Sequence, residues 1–132
     1  MLIKLYIITL PVLLAIDLVW LRFVAKGFYQ DKIGYLMKPE VNLVPALIFY
    51  LLFALALVIF VISPALSEGV WTKALLLGLF LGFISYAAYD LTNHATIRDW
   101  PLMMTVVDML WGALLSGATS VIAYFIARKI GL

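Results

Sequence analysis

The chain has no cysteine. Disulfide staples, thiolate nucleophiles and thiolate metal ligands are therefore excluded, and the redox compartment is left open. Histidine occurs once, at His94, which also excludes a His-Glu-x-x-His metal helix. Charge is the second scarcity. Asp, Glu, Lys and Arg make up 12% of the 132 residues, against about 25% in a soluble domain. That is too little for a water-facing surface or for the basic patch of a nucleic-acid-binding protein. No serine sits in a nucleophile-like turn, so a hydrolase triad has little support.

What the chain does have is apolar length. Hydrophobic residues make up 67% of it, and the mean hydropathy is +1.16. Four runs, roughly residues 2–21, 43–62, 74–91 and 101–127, each approach or exceed the ~20 helical residues that cross a ~30 Å hydrocarbon layer. Residues 1–132 therefore read as a single transmembrane domain. The expected fold is all-α, an integral membrane four-helix bundle with short loops. The first run resembles a signal peptide, with Lys4 ahead of an apolar core, but Asp17 and Trp20 follow that core without an A-x-A-like site, so a retained span is expected.

The linkers differ in character. Residues 22–40 mix Phe23, Phe28, Tyr29, Tyr35 and Met37 with Lys26, Lys32 and Lys38, a composition suited to the headgroup layer. Gly27 and Gly34 argue against one long helix, so a broken, membrane-interfacial segment between helices 1 and 2 is expected. Residues 63–73, with Pro64, Ser67 and Gly69, read as a plain turn. In residues 94–101, Asp99 is expected to cap the last helix and Pro101 to fit its first turn.

Orientation is not readable from charge. Four spans put both termini on one side with the second linker, giving Lys4, Lys73, Arg128 and Lys129; the opposite, loop face has Arg22, Lys26, Lys32, Lys38 and Arg98. The positive-inside rule needs a larger asymmetry.

Depth is readable. At 1.5 Å per residue, Asp17 lies about 7–8 Å inside Arg22, Asp90 about 6 Å inside His94, and Asp108 about 10 Å inside Pro101. Asn42 opens the second span on the same face. The other half holds little beyond Thr9, Thr72 and Ser120. A carboxylate at bilayer depth costs several kcal/mol, roughly 2.5–3.5 on insertion scales, and by default marks a functional site.

Neighbours sharpen that site. Tyr86, Asp90 and His94 follow at intervals of four along one helix face, with Tyr89 and Asn93 on an adjacent stripe. Asp17–Trp20 and Asp108–Trp111 repeat an Asp-x-x-Trp spacing on two helices. It sets carboxylate beside indole, which suits an organic cation or an indole-to-carboxylate hydrogen bond. Asp17, Asp90, His94 and Asp108 form an alternative set for a divalent metal, although no known metal motif is present. Gly78 and Gly82, with Gly112, Ser116 and Ser120, put small residues at intervals of four, which lets helices 3 and 4 pack closely.

Asp17-x-x-Trp20, the segment Tyr89-Asp90-Leu91-Thr92-Asn93-His94-Ala95-Thr96, Trp100-Pro101 and Asp108-x-x-Trp111-Gly112 together resemble a family of small bacterial membrane proteins, domain of unknown function 2177. The resemblance covers essentially the whole chain. It implies a four-helix protein of the bacterial inner membrane and supplies no activity.

Binding or transport of a small amphipathic or cationic molecule is expected, in a pocket of Asp17, Trp20, Asn42, Tyr86, Tyr89, Asp90, Asn93, His94, Asp108 and Trp111. A membrane enzyme acting on a lipid or isoprenoid headgroup is the first alternative, with the Asp/His cluster as metal site or acid and base. A structural or accessory subunit is the second. No cofactor is called for outside the metal reading. Expected partners are membrane lipid and a small ligand, without nucleic acid, and a homo-oligomer stays open.

Overall fold

The computed structural model describes all 132 residues, Met1–Leu132. The chain is 87% helical, without strands. Four helices are long and apolar enough to span a membrane: α1 (Leu2–Leu36), α2 (Leu43–Glu68), α3 (Trp71–Thr96) and α4 (Leu102–Lys129). Large apolar side chains such as Ile3, Leu43, Leu76 and Leu102 stand on the outside. In water such a surface aggregates; against lipid it is the matching one.

The linker between the first two spans is not broken. α1 runs on through a wide π turn at Leu21–Ala25, an α segment at Lys26–Ile33 and a final tight turn at Gly34–Leu36. Gly27 is tolerated inside this helix, at a cost of about 1 kcal/mol relative to alanine. At about 1.5 Å per residue, its 35 residues reach ~50 Å, so the Lys26–Ile33 segment continues beyond the hydrocarbon layer. The buried positions of α1 follow at intervals of four, Leu5, Thr9, Leu13 and Asp17, and the same spacing resumes with Ala25 and Ile33. A spacing of four drifts around a helix of 3.6 residues per turn. The wide turn takes up part of that drift and keeps Tyr29 on the side of α4.

The second linker is mostly helix rather than turn. α2 continues to Glu68 and stops at Gly69, which takes a left-handed conformation (φ 69°), with the Val70 N–H bonded back to the Ala65 carbonyl. Pro64 fits inside α2 because a π turn at Val58–Ile62 precedes it. There the Ser63 N–H reaches back to the Val58 carbonyl, and the ladder is re-phased where proline supplies no donor.

Asp99 does not cap α4. Its own backbone is left-handed (φ 60°), a conformation aspartate tolerates better than most residues. The cap position belongs to Pro101, and no side chain caps the helix. The Asp99 carbonyl instead accepts from the Tyr35 hydroxyl at 3.0 Å, which ties the end of α1 to the α3–α4 loop.

α4 is the hub of the bundle. Half of its apolar window is buried, against 22% for α1 and α3 and 33% for α2. Glycines explain the tight α3–α4 seam. A methyl group at Gly78 would press on Ser120, and one at Gly82 would run into the Gly112 carbonyl oxygen. The first part of α2, Leu43–Leu57, packs on α1, whereas contact with α3 is concentrated at residues 58–68, which also meet α4. Toward the loop face, α2 and α3 therefore stand apart, bridged by edge contacts of Phe49 and Phe53 with Tyr86.

Candidate functional site

A cavity of about 480 Å³ draws its lining from all four helices. Asp17 of α1 and Asp108 of α4 both line it. Tyr29, Phe49, Tyr50, Tyr86, Tyr89 and Trp111 supply its aromatic walls, and Leu21, Ala46 and Ser85 complete the lining.

Both carboxylates are held by aromatic donors. Asp17 accepts from the Trp111 indole N–H at 2.9 Å and from the Tyr50 hydroxyl. Asp108 accepts from the Tyr29 hydroxyl at 2.6 Å, and the Tyr29 oxygen accepts in turn from the Trp20 indole at 3.2 Å. The two indoles stack with centroids 4.2 Å apart and planes 6° from parallel.

The two Asp-x-x-Trp segments thus exchange partners. Trp111 donates directly to the aspartate of the other helix, whereas Trp20 reaches Asp108 through the Tyr29 hydroxyl. Antiparallel packing requires this: Trp20 lies nearer the loop face than Asp17, while Trp111 lies deeper than Asp108, so Trp111 is level with Asp17 and Trp20 with Asp108.

No cation of the protein neutralises this site. The ion pairs of the chain are Lys32–Asp31 and Lys73–Glu68, both with exposed acids. Asp90 is fully buried on α3, where the seam that packs Tyr86 on Gly112 sets it level with Asp108 of α4.

The remaining residues singled out in the sequence lie elsewhere. Asn42 caps α2, its side chain accepting from the Val44 N–H at 3.2 Å in an exposed position. His94 is exposed and turns its Nδ1 to the Thr105 hydroxyl at 2.8 Å, beside the Trp100 indole, which donates to the same hydroxyl at 3.0 Å. Asn93 is half-buried on α3 outside the cavity lining. No three Asp, Glu or His side chains stand close enough to hold one metal ion, so Asp17, Asp90, His94 and Asp108 do not assemble as a metal set.

The termini half of the bundle is more polar than the sequence suggests. Ser116 and Thr119 join Thr9 and Ser120 as fully buried hydroxyls, and those of Ser116, Thr119 and Ser120 have no hydrogen-bond partner. Among the cavity residues, Tyr50 carried a legible signal: a phenol within a span must find a partner for its hydroxyl. Tyr29 gave none, because twelve residues separate it from Asp17 and only the path of α1 brings it to Asp108.

The model of one family, described as "Predicted membrane protein (DUF2177)", matches residues 2–125. The chain belongs to this family. Its description names a location and no activity. No curated protein and no solved structure matches the chain.

Proposed function

We propose that the protein binds, and moves within the bilayer, a small amphipathic or cationic molecule. The supporting observation is two carboxylates, Asp17 and Asp108, in one aromatic-walled cavity without a lysine or arginine paired to either. Negative charge at bilayer depth is costly until a cation or a proton meets it. A cation over aromatic faces gains about 0.5–2 kcal/mol beyond the charge attraction. Most residues lining the cavity are aromatic or aliphatic, which suits a ligand with an apolar part. The membrane is taken to be the bacterial inner membrane on the family resemblance alone.

The test uses the protein in lipid nanodiscs with benzyltrimethylammonium as probe and benzenesulfonate as anionic control. Saturable binding of the cation, weakened at least tenfold in Asp17→Asn and in Asp108→Asn, is expected. Equal binding of both probes, or full binding by both variants, would remove the proposal.

A second reading is favoured by the donors on both carboxylates, which tie α1, α2 and α4 together as in a structural subunit. It predicts that the same variants lose stability in proportion to any phenotype.

A further inference from the structure

Asp90 is left out of the hydrogen bonds that hold the other two acids. It is fully buried, and neither of its carboxyl oxygens meets an N–H or O–H donor. Across the α3–α4 seam Tyr86 packs on Gly112, and one turn farther along these antiparallel helices Asp90 stands level with Asp108 of α4, which is buried too. Around this pair stand Tyr86, Tyr89 and Asn93 on α3 and Tyr29 of α1, which donates to Asp108, while Asp17 of α1 is held by Tyr50 of α2 and Trp111 of α4. His94, one turn along α3, is engaged with Thr105. No lysine or arginine pairs with either acid.

Two ionised carboxylates at one level repel, and neither can donate to the other. A single proton between them turns the juxtaposition into a charge-assisted O–H···O bond and gives Asp90 the partner it lacks. We propose that Asp90 and Asp108 hold one proton between them, and that a cation entering the cavity displaces it. The second half rests on the proposed function, because Asp108 is both a wall of the cavity and a member of the pair. A cation beside Asp108 favours the fully ionised pair. The proton leaves to water as the cation arrives, so the net charge of the site is unchanged. Exchange of a proton for an organic cation follows from one shared carboxylate.

Infrared spectroscopy of the ligand-free protein in nanodiscs at neutral pH tests the proton by itself. A protonated-carboxyl band is expected in the wild type. It disappears in Asp90→Asn, whose amide donates to Asp108 without a proton, and shifts or disappears in Asp108→Asn, whose amide faces Asp90 in the same way. Absence of the band in the wild type, or a band unmoved by both variants, overturns the shared proton. Should Asp90→Asn fail to fold, the response of Asp108→Asn decides, and an unshifted band there overturns it.

Benzyltrimethylammonium added to weakly buffered protein tests the displacement. The wild type should release a proton for each cation bound, and Asp90→Asn should bind without release. Binding by the wild type without release overturns displacement while the proposed function stands. An intact infrared band with no cation binding overturns the proposed function and leaves the shared proton supported.

Discussion

Tyr29 and Tyr50 supply the hydroxyls that make Asp108 and Asp17 tolerable at bilayer depth. Tyr29→Phe keeps the ring and removes one donor. Hydrogen bonds to charged groups contribute about 1.5–3 kcal/mol in soluble proteins, and interhelical ones in membranes average about 0.6. A loss of ~1 kcal/mol in unfolding free energy is therefore expected for Tyr29→Phe, measured by denaturant titration in mixed micelles; no loss would mean that Asp108 takes its donor elsewhere. Asn42→Ala separates a cap from a pocket wall. It should lower stability by about 1 kcal/mol and leave benzyltrimethylammonium binding unaltered, since the Asn42 side chain accepts from Val44 outside the cavity. At this scale the sequence spoke through cost. Asp17, Asp90 and Asp108 stood out because charge in lipid needs a reason, whereas Asn42 and His94, also expected in the pocket, lie outside its lining, because polar residues near a helix end are cheap. Which donor serves which acid was not legible, since the antiparallel level of two helices decides it.

Glycines at two places in the helices have opposite consequences, and together they test the packing. A methyl group at Gly82 would collide with the Gly112 carbonyl and Ser116, both on the rigid α4 seam. Gly82→Ala should therefore cost about 1–3 kcal/mol, the range for overpacking. Gly27 has nothing near it, and its helix is regular. Gly27→Ala should stabilise the protein by up to ~1 kcal/mol through helix propensity. Thermal unfolding of the two variants side by side checks both signs, and a destabilised Gly27→Ala would return the linker to the broken segment that Gly27 and Gly34 suggest on local grounds. Spans were readable from apolar length, and the α3–α4 seam from the intervals of four among Gly78, Gly82, Gly112 and Ser116. Helix ends were not, because two π turns carry α1 past Gly27 and α2 past Pro64. The first re-phasing has no local mark, and the only mark of the second is Pro64, which reads as a turn on local grounds.

For the molecule as a whole, the hydrogen bond from Tyr35 to Asp99 places the end of α1 and the α3–α4 loop on one side. Four crossings then put Met1 and Leu132 together on the other. What sets the orientation is the count of basic residues near the spans. Lys4, Lys73, Arg128 and Lys129 face Arg22, Lys26, Lys32, Lys38 and Arg98, a near balance that a few substitutions can tip. Replacing Lys26, Lys32 and Lys38 with glutamine leaves only Arg22 and Arg98 on the loop face and should hold both termini in the cytoplasm, whatever the wild type does. These lysines lie outside the cavity lining, and Lys32 gives up only a pair with an exposed aspartate, so the fold should tolerate the change. In bacterial cells, a fluorescent-protein fusion after Leu132 should then be bright, and a phosphatase fusion at the same point inactive. A phosphatase that stays active in the triple variant would show that some feature other than basic charge orients the bundle.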